Sequence, residues 1–303
     1  MPFDPQQIIN SKYGLGLASL LGRTLSPEAG YRIANFIADR ISSRRNWKMV
    51  RAVRANQWVV RGETKDKKAL DLAVRDTFRC IARSVFDLYH YIHDPEAMKN
   101  LIVFNPTVLK GIQRPVYAER GLMAVGLHFS NFDFVLQAGA LKGLEAMVLT
   151  IPEMQGGYRD QYEMRKRTGM NLVPASVSSL RKAVEHLQAG GLLLTAMDRP
   201  DGVSTYRPMF FGRPAALPIH PIYLAIRARV PVVVVAAILR PDGKYYLVNS
   251  EPIEMASYPD RRIEEIRNSE AVLKVAEEFI RQAPQQWTIT LPVWPEALDQ
   301  VPE

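Results

Sequence analysis

The chain lacks most of the patterns that would commit it to a familiar class at once. Its 303 residues contain a single cysteine, Cys80, which excludes an intramolecular disulfide and suits a reducing compartment. Cys80 falls in a helical pattern and reads as a small core residue. No run of 18 apolar residues occurs, so no membrane-spanning helix is expected. The opening Met-Pro-Phe-Asp has neither a basic nor an apolar targeting region, so no secretory signal is expected. Gly156-Gly157 is too short for a phosphate-cradling loop, and no repeat or low-complexity tract is visible. Histidine is scarce, at five residues. His90 and His93 beside Asp94 lack a fourth ligand, so no metal site is expected. His186 reads as a helix surface residue, and His220 as packing or pocket lining at a helix start.

What is present describes a folded globular protein, 47% hydrophobic and 23% charged, long enough for one large or two ordinary domains. The net charge is +8, and it is concentrated. Between Tyr31 and Gly62 stand Arg32, Arg40, Arg44, Arg45, Lys48, Arg51, Arg54 and Arg61, opposed only by Asp39. Such a stretch suits an anionic membrane surface, a nucleic acid or an acidic protein. Trp47 and Trp58 are few indoles to interleave with the cations, so base stacking is poorly supported and no nucleic-acid partner is expected.

Residues 8–60 read as two helices. Ser26-Pro27-Glu28 is a helix start, and Ile33, Phe36, Ile37 and Ile41 follow at helical spacing with a basic opposite side. That pattern fits either a helix lying in a bilayer interface or one packing on the core. Residues 66–93 form a further helix, and Pro95, Pro106 and Pro115 punctuate a linker-like passage over 94–120. From Gly121 short apolar runs alternate with helical patterns. Strands are expected at 122–127, 146–150, 172–174, 192–196, 232–239 and 245–248, with helices at 132–141, 158–167, 178–187, 219–228 and 263–280. The expected fold class is α/β, a central mixed, mainly parallel sheet flanked by helices, with an N-terminal helical membrane-associating region. Residues 1–115 are expected to pack as helices on an α/β core of residues 116–303, as one structural unit.

The chemistry centres on His128-Phe-Ser-Asn-Phe-Asp133. His128 follows a strand, at the sheet edge where α/β proteins bind ligands. Ser130 or Asn131 can cap the next helix, which places Asp133 in its first turn. From there Asp133 is expected to hold the imidazole Nδ1–H, leaving Nε2 as a base for a substrate hydroxyl.

This block resembles the first motif of the glycerolipid and lipid A acyltransferase superfamily, and most closely the bacterial lipid A biosynthesis branch, where it typically reads His-Phe-Gly-Asn-Trp-Glu. Here Ser130, Phe132 and Asp133 replace Gly, Trp and Glu. Four further segments are similar in order: Arg165 to Gly169, Ala189 to Pro200 ending in Asp198-Arg199, Pro208 to Ala215, and Leu224-Ala225 with Pro231 to Val235. Val53 to Asn56 and the 66–93 helix also resemble that branch, so the likeness spans roughly residues 30–290. The aspartate form is shared with phosphatidylinositol mannoside acyltransferases. Two departures bear on the acceptor: the tail Pro284 to Trp294 lacks the basic ending common in lipid A enzymes, and the usual N-terminal membrane helix is not evident. The glycerolipid Pro-Glu-Gly-Thr block is missing, which argues against a glycerol-3-phosphate acceptor.

The resemblance implies an O-acyltransferase of lipid biosynthesis. Its donor would be an acyl thioester on acyl carrier protein or coenzyme A, and its acceptor a hydroxyl of a membrane glycolipid such as a lipid A precursor. Other glycolipid or lysophospholipid acylation, and thioester hydrolysis, are the alternatives. His128 and Asp133 are the expected catalytic pair, and Asn131, Arg165, Arg167, Asp198 and Arg199 the expected substrate contacts. No bound cofactor is implied. The expected location is the cytoplasmic face of the inner membrane, held peripherally.

Overall fold

The computed structural model describes residues 12–104, 120–150, 157–200, 202 and 204–302. The N-terminal region begins with α1 (Lys12–Thr24), α2 (Pro27–Ser42) and α3 (Lys48–Val60). Three helices thus occupy the stretch read as two, because no proline or glycine marks the break at 43–47. Ser26 caps α2 with Pro27 in its first turn, as its sequence demands. Next comes α4 (Lys67–Tyr91), capped by Asp66.

The passage expected to be a linker holds α5 (Pro95–Leu101), started by Asp94 and Pro95, and an edge strand β1 (Ile102–Phe104). Its remaining prolines, Pro106 and Pro115, and the 115/116 boundary lie outside the described residues.

The core proceeds β2 (Leu122–Gly126), α6 (Phe132–Leu141), β3 (Met147–Thr150), α7 (Gly157–Arg167), β4 (Asn171–Pro174), α8 (Val177–Gln188) and β5 (Leu192–Ala196). After a small hairpin, β6 (Met209–Phe210) and β7 (Arg213–Pro214), come α9 (His220–Ala228), β8 (Val232–Leu239), β9 (Tyr245–Asn249) and α10 (Arg261–Gln282). The seven-stranded sheet has the order β1-β9-β8-β2-β5-β3-β4. Only β8 with β9 is antiparallel, so the fold is α/β with a mixed, mainly parallel sheet.

Alternation along the strands divides the core. Met123, Val125, Leu193 and Val234 face α8, α9 and α10; Leu122, Ala124, Leu194 and Val235 face α5 and α6. The uniformly apolar β8 fits burial on both faces. Ala55 and Trp58 of α3 belong to the first cluster, so the N-terminal helices share the sheet's own core. α4 contributes Leu70 to one cluster and Leu88 to the other, which carries it from one face to the other.

This topology prepares a crevice. β2 and β5 are neighbours, yet the chain leaves β2 toward α6 on one face and leaves β5 toward α9 on the other. Divergent exits from adjacent parallel strands open a cleft at their carboxyl ends.

Candidate active site

His128 follows β2 and Asp198 follows β5, so the two strands deliver both side chains to that cleft. Their Nδ1···Oδ1 separation is 2.7 Å. Asp198 is 0% exposed and receives two more donors on Oδ2: the His128 main-chain N–H at 2.8 Å and the Trp287 indole at 2.9 Å. A carboxylate so enclosed fixes the proton on Nδ1. Nε2, which has no partner among the described residues, then presents its lone pair from a side chain 22% exposed. Phe132 stands edge-on to the imidazole at 4.8 Å between centroids.

The expected pairing of Asp133 with Nδ1 is therefore corrected. Asp133 lies in the first turn of α6, but both its oxygens turn to Arg165, at 2.8 and 3.1 Å, and Oδ1 also accepts from Gln137. The reason is geometric. β2 and β5 pair in register with Gly126 opposite Ala196, so the residues that leave them, His128 and Asp198, stand side by side, whereas Asp133 is already in the helix beyond. Asp133 holds a guanidinium at the last turn of α7 instead.

The other expected contacts divide. Asn131 is buried and spent on the fold: its Oδ1 caps α6 through Phe134 N–H, and its Nδ2 donates to the Ser84 carbonyl. Arg167 is exposed on the last turn of α7, and Arg199 follows Asp198, part-buried. Ser130 adopts φ +49°, a left-handed conformation that glycine enters at no steric cost. Cys80 on α4 is no competing nucleophile: desolvation pushes its thiol up to about 11, against the opposing effect of the Ser84 and Ser130 hydroxyls.

Sequence reasoning noted the Trp-bearing tail only as a departure. It is a strap over the base. Ser130 N–H donates to the Gln286 carbonyl, and Thr288 donates to the His128 carbonyl from both N–H and Oγ1, at 2.9 and 3.0 Å. Asn56 and Gln57 of α3 hold the strap from behind, through Ile289, Leu291, Val293 and Pro284. A second buried centre lies in α4. Asp87, its carboxyl pushed up by burial, accepts from the Tyr31 and Tyr245 hydroxyls. Arg83, one turn back on α4, is a local partner of Asp87, but the two tyrosines come from α2 and β9 and no local pattern signals them.

His90 and His93 bond the C-terminal half of α1, at the Gly22 carbonyl and Arg23 respectively. His220 lines a separate cavity of about 770 Å³ with Tyr206, Tyr223, Arg261 and Arg262.

A three-layer α/β protein with a carboxylate-oriented imidazole at its strand-exit cleft has the arrangement that general-base chemistry requires. The sequence model of the bacterial lipid A biosynthesis acyltransferase family matches residues 107–295, more than half of the chain, and the protein belongs to that family. It is an acyltransferase of lipids. Comparison with individual curated proteins gives no match.

Proposed function

We propose that the protein transfers a fatty acyl chain from an acyl thioester, on acyl carrier protein or coenzyme A, to a hydroxyl of a membrane glycolipid such as a lipid A precursor. The observation that carries this reading is the His128 imidazole, its Nδ1 held by buried Asp198 and its Nε2 open. Nε2 takes the acceptor hydroxyl's proton as that oxygen attacks the thioester carbonyl. The tetrahedral intermediate then collapses, the C–S bond breaks, and the leaving thiolate receives the proton from the imidazolium. Asp198 stabilises that cation throughout. Arg165, braced by Asp133, binds phosphate of donor or acceptor, and exposed Arg167 and part-buried Arg199 are the further cations proposed to contact substrate.

The reaction is placed on an anionic membrane surface at its cytoplasmic side. No described helix is long and apolar enough to cross a membrane. Support comes from α2, whose inward seam is Gly30, Ala34 and Ala38. Ile41 packs inward, but Phe36, 60% exposed, Ile33 and Ile37 face outward, and Leu17 and Leu20 of α1 are likewise exposed. Arg32, Arg40 and Arg44 are exposed along the same arm. An outward apolar stripe with basic neighbours matches a helix lying in a lipid interface.

The test supplies purified protein with labelled acyl thioester and lipid A precursor. Labelled acceptor, abolished by His128→Ala, is expected. Free fatty acid without acylated acceptor would replace the reading by thioester hydrolysis.

A further inference from the structure

We propose that Trp287 is a positioning residue that sets the proton affinity of the His128–Asp198 pair, so that the C-terminal strap tunes the base. The inference rests on the acyl-transfer reading for its kinetic consequence, though not for its direct readout. Asp198 has no contact with solvent, so its charge is compensated only by its donors. Oδ1 faces the imidazole, and Oδ2 is shared by the His128 N–H and the Trp287 Nε1–H. Those two donors fix the carboxylate plane and draw off part of its charge.

The indole is itself immobilised. It packs against Phe210 and Trp294 at centroid distances of 5.9 and 6.0 Å, and its backbone bridges Phe129. Thr288, the next residue, anchors the His128 carbonyl. The amide, carbonyl and ring of His128 are therefore all set by Asp198 and the strap. Among the described residues Trp287 joins them directly, through its indole on Asp198.

Removing the indole donor leaves Oδ2 with a single donor. The carboxylate then keeps more of its charge and stabilises the imidazolium more strongly. The pair holds its proton more tightly, and less neutral base is available at low pH. Trp287→Phe keeps an aromatic ring and deletes only the N–H and part of the bicycle. Its expected effects are an upward move of about one pH unit in the His128 imidazole titration, followed by NMR without substrate, and the same displacement of the acidic limb of kcat. On the acidic limb kcat falls by up to about tenfold, the full effect of a one-unit displacement, KM stays within about twofold, and the loss shrinks as pH rises. His128→Ala assigns the imidazole signal among the five histidines.

A folded Trp287→Phe protein with unchanged imidazole titration and acidic limb overturns the proposal. Should that variant melt before titration, a benzothiophene analogue of tryptophan at position 287 removes the same hydrogen with the bicycle retained, and the same criterion applies. The two readings fail separately. Acyl transfer that survives His128→Ala removes the base assignment while leaving the titration comparison intact. A dead His128→Ala with an indifferent Trp287→Phe removes only the role of the strap.

Discussion

His128 and Phe36 are held by very different means. The His128 amide and ring are held by Asp198, 70 positions away, and its carbonyl by Thr288, 160 positions away. Phe36 stands 60% exposed on a helix that meets the body through Gly30, Ala34 and Ala38, where a Cβ on Gly30 would lie 2.1 Å from the Phe86 ring. Small residues permit close approach of α2 but bury little apolar area. The base is thus fixed redundantly by remote segments, while the arm spends its large apolar side chains on the outside. On the proposed reading, a protein that must keep a proton acceptor in register and also touch a lipid surface divides its constraints in this way.

The sharpest way to break the comparison is to ask which carboxylate the base depends on. Asp198→Asn should lower kcat by two to four orders of magnitude, because the amide can donate to Nδ1 and reverse the tautomer. Asp133→Asn removes the charge that braces Arg165 without touching the imidazole, and about a tenfold loss appearing mainly in KM is expected. Single-turnover and steady-state kinetics on both variants decide it. Equal collapse of kcat in a folded Asp133→Asn protein would return the orienting role to Asp133.

The second prediction addresses the arm. Phe36→Asp combined with Ile37→Glu removes two apolar side chains from the outward stripe and adds two negative charges. Partitioning onto vesicles rich in anionic phospholipid should weaken about 100-fold, from roughly 1.5 kcal/mol per lost side chain. Turnover of a short-chain soluble thioester should be unaffected. Unchanged vesicle sedimentation would remove the membrane assignment of α1 and α2.

These contrasts also show what was legible in the sequence. The core strands β2 to β5, β8 and β9 announced themselves, as Val232 to Leu239 does by its unbroken apolar run, whereas the short edge strand β1 and the β6–β7 hairpin did not; the helix starts at Ser26-Pro27 and Asn131 are local signals. The apolar stripe of α2 was visible, but its direction was not, since periodicity cannot say which face meets a partner. His128 was legible as a base at a strand end. Its partner was not: five residues of separation made Asp133 look near, whereas adjacency of β2 and β5 in the sheet brings Asp198 closer. The roles of Trp287 and Asp87 are purely tertiary, written in no window of sequence.

A smaller effect is expected at Cys80. With its thiol pushed up to about 11, almost none is thiolate at neutral pH. Iodoacetamide should label it slowly at pH 8, and Cys80→Ala should keep acyl transfer within about threefold. Rapid labelling coupled to loss of activity would bring back a covalent acyl-enzyme.

The smallest effect concerns how the arm is pinned. Asp39 on α2 meets Arg79 on α4 through two contacts of 2.6 and 2.7 Å, and hydrogen bonding from Arg79 lowers the Asp39 pKa. A depressed carboxylate pKa contributes stability above the unfolded value, near about 4, and loses it as pH falls through the folded value. Both side chains are more than one-third exposed, so solvent screening holds the contribution below about 1 kcal/mol. Asp39→Asn should therefore lower Tm slightly at pH 7, and the difference from the parent should vanish in acid once Asp39 is protonated in the folded state as well. An Asp39→Asn and Arg79→Gln double-mutant cycle isolates the pair from its neighbours. A coupling well above 1 kcal/mol would mean that α2 is clamped to α4 as firmly as the strap is to His128, and the division of constraint between the two regions would be lost.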